Sequence, residues 1–145
     1  MDKTALALEY FENKFHCSQA VLAAYAEELG LTEEQALKLG ACFGSGVRKG
    51  ELCGACSGAL MVLGLMYGQA SKEDIESRLK TNEITDEFLQ RFVEKNGSYI
   101  CNELLGCDLK TKDGVAYAKE NELFTKFCPK MVEAAMEILE KICNS

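Results

Sequence analysis

Cys53-Gly54-Ala55-Cys56-Ser57-Gly58-Ala59-Leu60-Met61-Val62-Leu63 joins two cysteines to an uncharged run of small and apolar residues, and how this stretch is read decides the fold. As a helix it is apolar on every side, which predicts a central position in a helical protein. Gly40, Gly44, Gly46 and Gly50 place a loop before it, and Gly68 closes it. A thiol at such a helix start sits beside amides that have no intrahelical partner, at the positive end of the macrodipole, where a thiolate is stabilised.

The flanking segments repeat the helical period. Ala5, Leu8 and Phe11 with Ala7 mark a first helix, and Val21, Leu22, Tyr25 and Leu29 mark a second that ends at Gly30. Thr32 to Gln35 is a capping box opening a third. Ser71 to Asp74 caps a segment with Ile75 and Leu79 turned inward and a break at Asn82, and Thr85-Asp86-Glu87 starts the next, with Phe88, Leu89, Phe92 and Val93 as its stripe and Gly97 as its stop. A short helix runs from Cys101 to Leu105. The last follows Pro129 and buries Val132, Ala135, Met136, Leu139 and Ile142. The expectation is an all-α, compact single-domain bundle over residues 1–145, with about six to eight helices.

Composition narrows the function. A chain of 145 residues with eight cysteines is long enough to build a core without disulfide staples, since about 68–70% of its unfolded surface is buried on folding. Met1 to Glu9 is charged from the outset and has no signal-peptide h-region, so the expected compartment is the cytoplasm, where cysteine clusters read as metal-binding or redox-active. The net charge of -7 without a basic run argues against nucleic acid. The longest apolar run, Ala59 to Met66, is far below the roughly 18 residues of a membrane span.

Cys17, Cys53, Cys101 and Cys128 all fall within a turn of a predicted helix start, with Cys128 at the cap position before Pro129. Helix starts that converge would form a donor-rich pocket for a thiolate pair or an anionic cluster. Cys42 and Cys143 read as core filler, because free cysteine packs like a small hydrophobe; Cys107, after Gly106, is open to either reading. Cys53 and Cys56 have the spacing of a dithiol pair and also of half a metal site. Gly44 to Gly50, with Arg48 and Lys49, reads as a tight turn rather than an anion cradle, and the lone His16 as an exposed helix-end residue.

At these residues the chain resembles, over nearly its whole length, the family of redox-active proteins known by the cysteine string C_GCAxxG_C_C. His16-Cys17-Ser18-Gln19-Ala20-Val21, the glycine-rich stretch through Gly50, Cys53-Gly54-Ala55 with Gly58, Cys101 with Leu104, and Cys128 follow the family's order. The order here is Cys53-Gly54-Ala55, whereas the family's label places glycine first, and Cys56 falls where the motif specifies no residue. The resemblance implies that Cys17, Cys53, Cys101 and Cys128 are the functional four, with a redox role and neighbourhood to transporters.

The leading expectation is therefore a cytoplasmic redox or electron-transfer protein with an unidentified redox partner. Its cysteine quartet either holds a metal centre, an iron–sulfur cluster first, or cycles between dithiol and disulfide. The alternative is a non-enzymatic module, zinc-stabilised or acting as an adaptor for a membrane transporter, or thiols that merely line a ligand pocket.

Overall fold

Local capping sets most helix boundaries. The computed structural model describes residues 2–144, so Met1 and Ser145, the ends of the expected domain, lie outside the described residues. Asp2 accepts from the Ala5 amide at 2.8 Å and starts α1 (Lys3–Glu12). Gln19 reaches back to the His16 amide at 2.8 Å and fixes the start of α2 (Cys17–Ala24). Tyr25 then bends the chain, so the single expected helix up to Gly30 is two, α2 and α3 (Ala26–Leu29), with Gly30 left-handed at the end. The Thr32–Gln35 capping box opens α4 (Glu33–Gly40). Next comes α5 (Gly54–Tyr67), which Gly68 ends.

α6 (Ile75–Asn96) departs from expectation by running unbroken through Asn82, and it stops at Gly97. Asn82 is exposed and costs only a fraction of about 0.7 kcal/mol as a helix residue. Meanwhile Thr81 and Thr85 turn their hydroxyls back onto the carbonyls of Ser77 and Thr81. Ile75 and Leu79, expected to face inward, are 50% and 57% exposed: the first turns of this 22-residue helix carry them clear of the body, while Phe88 and Phe92 further along are buried.

α7 (Cys101–Leu105), α8 (Lys112–Glu120), α9 (Leu123–Lys126) and α10 (Cys128–Cys143) complete the chain. Among the described residues the structure is all-α, with ten α-helices rather than the expected six to eight. The additions are α3 and α9, one turn each, and α8, whose buried residues are only the small Gly114 and Ala118. α10 begins one residue earlier than expected, with Cys128 as its first residue and Phe127 capping it, because proline fits either of the first positions, whose amides have no helical partner.

The main core is built by α2, α5, α6 and α10, with α1 and α4 packed on α2. α5 is central through its first half, where Gly54 to Ala59 are buried; its far end surfaces at Leu65. A satellite cluster of Cys101, Leu105, Leu109 and Ala118, backed by Phe124 and Phe127, forms a second, smaller core against which Cys128 also packs.

Between α4 and α5 the chain makes a tight left-handed turn, with φ of 55°, 60°, 51° and 64° at Ser45, Gly46, Val47 and Arg48. Three of these four residues are not glycine, and such backbone costs on the order of 1–3 kcal/mol each. Gly50 follows at φ 73°. A Cβ there would stand 1.8 Å from Asn102 Oδ1. Asn102 cannot retreat, since Oδ1 accepts from the Leu109 amide at 2.8 Å and Nδ2 donates to Asp108 at 3.0 Å. Gly50→Ala is expected to lower stability by about 2 kcal/mol, read as the urea midpoint of unfolding; an unchanged midpoint would mean that the turn relaxes freely.

Candidate functional site

Three devices bring the cysteines together. The first is a bridge: Leu52 pairs antiparallel with Ile100, the Cys53 amide donates to Tyr99 O at 2.8 Å, and the Cys101 amide donates to Glu51 O at 2.6 Å. The register sets Cys53 across from Tyr99 and Cys101 across from Glu51, so the two cysteines stand at opposite ends of one short bridge, Cys53 capping α5 and Cys101 opening α7. The second is the close approach of α2 to α5. A Cβ on Gly54 would meet Cys17 Cβ at 3.4 Å, and one on Gly58 would meet Ser18 O at 2.7 Å. Small residues on α5 thus admit the α2 backbone and set Cys17 next to Cys53. The third is α10, which starts at Cys128 and lies against both α2 and α5.

As a result Cys17, Cys53, Cys101 and Cys128 all line one cavity of about 880 Å³. It opens between α1, α2 and α5 on one side and α7, α9 and the start of α10 on the other, with Phe11, Leu104, Phe124 and Phe127 among its apolar walls. Cys56, Cys107, Cys42 and Cys143 do not line it. Cys56 is buried behind Cys53, one turn along α5. Cys107 packs on the satellite cluster. Cys42, expected as core filler, is exposed, since its turn lies outside the packed faces of α4 and α5. Cys143 is half-buried, 3.4 Å from the Met66 sulfur. His16 caps α2 at the rim of the cavity and is exposed. All eight cysteines are thiols.

The electrostatics divide the quartet. Cys53 is held below the usual thiol range, first by the Cys56 thiol that hydrogen-bonds to it and, against the effect of burial, by the Ala55 and Cys56 amides at the start of α5. Cys56 is pushed far up by burial and by Cys53. Cys17 and Cys101 reverse the expectation that a helix start lowers a thiol's pKa. Cys17 is raised by its hydrogen bond with Cys128, then by burial and the neighbouring cysteines; Cys101 is pushed up to about 12 by burial, then by Cys53, Cys128 and Cys107. Crowding like charges in a dry site outweighs a favourable helix end. Alkylation of the reduced protein at mildly acidic pH should therefore modify Cys53 before Cys101 or Cys17, because a lowered thiol carries a larger thiolate fraction than two raised ones at any such pH; peptide mass spectrometry checks the order. Labelling of Cys101 first would show that access, not charge, decides.

Four thiols around one cavity are the right donors in kind for iron–sulfur or zinc ligation. In spacing they suit a single ion poorly: among the described residues no three Cys, His, Asp or Glu side chains stand together closely enough to hold one.

The family whose profile carries this cysteine pattern, described as "Putative redox-active protein (C_GCAxxG_C_C)", matches residues 15–142. The chain belongs to this C_GCAxxG_C_C family. The match takes in all four cavity cysteines and the structural devices that assemble them, from the cap of α2 to the last turns of α10. Curated proteins and solved structures gave no match. No helix among the described residues is long and apolar enough to cross a membrane.

Proposed function

We propose that this C_GCAxxG_C_C protein is a thiol–disulfide redox protein in which Cys53 is the attacking thiolate and Cys56 the resolving thiol. The observation that carries the reading is the asymmetry of this pair: Cys53 is ionised most readily and opens onto the cavity, whereas its partner is buried behind it and keeps its proton. Attack by the Cys53 sulfur on a substrate disulfide forms a mixed disulfide and releases one thiolate. The Cys56 sulfur then displaces the second, its proton passing to the departing sulfur, so the pair is oxidised by two electrons and the substrate becomes two thiols. Cys17, hydrogen-bonded to Cys128 across the same cavity, supplies a second dithiol to which the oxidising equivalents can pass. The test is a redox titration against a dithiothreitol couple with peptide mapping. A reversible Cys53–Cys56 disulfide at a defined potential supports the reading, and its absence overturns it.

A second reading is favoured by one observation. Cys17 is raised by its hydrogen bond to Cys128 and Cys101 by burial, and both are also raised by the charge of neighbouring thiolates, so a cation in the cavity would favour the ionised form of both. An iron–sulfur group held by Cys17, Cys53, Cys101 and Cys128 would supply that charge and, when bound, one-electron transfer. Zinc is the lesser form of this reading, given the spacing. Protein purified without oxygen is expected to carry little zinc; iron and acid-labile sulfide in equal amounts, lost in Cys101→Ser, would move the assignment to electron transfer.

A further inference from the structure

We infer that the cavity selects a small disulfide with an apolar body and a single terminal carboxylate, the chemistry of oxidised lipoate; this rests on the dithiol reading above. The Cys53 sulfur opens onto a space of about 880 Å³, within the usual range for small-molecule sites. Most of its exposed lining is hydrocarbon: Leu8 and Phe11 come from α1, Leu104 and Leu105 from α7, and Phe124 and Phe127 from the α9 side. A disulfide whose sulfurs are flanked by peptide groups and several charges, as in glutathione disulfide, would set those groups unpaired against hydrocarbon. A dithiolane on a short alkyl chain meets the walls with methylenes, each raising affinity about fourfold when buried.

The rim adds the second selection. In a chain of net charge -7, this opening carries Lys14, Lys126 and Lys130 against Glu12 and Glu133. Lys126 is tied to Glu122 at 2.7 Å, whereas Lys14 and Lys130, like Glu12 and Glu133, enter no ion pair among the described residues, which leaves both lysines free to meet an anion. Both are exposed at the mouth, where a carboxylate on the outer end of the substrate would meet them while its sulfurs face Cys53. In the reaction, the substrate S–S bond breaks, Cys53 and Cys56 form theirs, and the two electrons leave on the dihydrolipoate, which takes one proton from Cys56 and one from solvent because Cys53 reacts as the thiolate.

The test mixes fully reduced protein with oxidised lipoate, neutral lipoamide or glutathione disulfide and follows the Cys53–Cys56 disulfide by quenching and mass spectrometry. Lipoate should oxidise the pair at least about tenfold faster than glutathione disulfide does. Its advantage over lipoamide should shrink as salt screens the rim and vanish in the Lys14→Glu, Lys130→Glu double variant, with an unchanged circular dichroism spectrum confirming the fold. A glutathione rate equal to or above the lipoate rate, or a lipoate-to-lipoamide ratio indifferent to both salt and charge reversal, overturns the selection. If the dithiothreitol titration finds the couple while these ratios are flat, the substrate class alone is wrong. Failure of the couple itself removes the dithiol reading and this inference together.

Discussion

Cys53→Ser will fold and yet show no measurable disulfide exchange, whereas Cys56→Ser will stop halfway, trapped as a mixed disulfide between Cys53 and the substrate. The two outcomes differ because the roles differ. Serine at position 53 removes the one sulfur of the pair whose pKa is lowered and which faces the cavity; at position 56 it removes only the buried sulfur that would resolve the adduct. Intact-mass spectrometry after addition of a small disulfide reads both at once, as an unshifted mass for the first and a stable adduct for the second. Folding should survive each change, since serine is close to cysteine in size and each position lies where α5 begins. Exchange at wild-type rate in Cys53→Ser would move the nucleophile to the Cys17 and Cys128 pair. An unstable adduct in Cys56→Ser would mean that Cys17, Cys101 or Cys128 resolves in its place.

Gly58→Ala will destabilise the fold by about 1–3 kcal/mol, the usual cost of adding a methyl to a packed core. For a chain of this size that is a fall in melting temperature of roughly 3 °C per kcal/mol. The added carbon would stand 2.7 Å from Ser18 O and 3.0 Å from Val21 Cβ. The first of these is backbone and cannot rotate away. Ser18 is also anchored from the other side, its hydroxyl donating to Gly40 O at 2.7 Å, so α2 must move as a body. Because Cys17 precedes Ser18, the same displacement should draw the Cys17 sulfur away from Cys53 and slow exchange. Gly64→Ala, where no atom lies within 4 Å of the added carbon, is the control and should be neutral or slightly stabilising. Equal melting temperatures for the two variants would contradict the close approach of α2 and α5.

Much of the fold was legible in the sequence because it is set within a few residues. The helix start at Cys17, the Thr32 box, and the glycine stops at 30, 68, 97 and 106 depend on groups close along the chain. α9, a single turn, and α8, which buries only the small Gly114 and Ala118, were not picked out, although Thr111, which accepts from the Gly114 amide at 2.9 Å, left a capping signal in the sequence. The break expected at Asn82 failed because a weak local preference is too small to stop a helix whose following turns are anchored in the core by Phe88 and Phe92.

The cysteine quartet itself could be singled out from helix starts and family pattern, but nothing local said which sulfurs would meet. That came from contacts distant in sequence: Leu52 with Ile100, Gly58 with Ser18, and the start of α10 against α2 and α5. The same contacts decided the charges, for a helix start lowers a thiol's pKa only where burial and neighbouring thiolates do not outweigh it, as they do at Cys17 and Cys101. The sequence by itself determined an all-helical chain with thiols at helix starts, because capping and periodicity act over one or two turns. Only the tertiary structure decided that four of those thiols share an apolar cavity and that Cys53 alone among the shifted ones is lowered, because proximity, burial and mutual repulsion arise when distant segments are packed together.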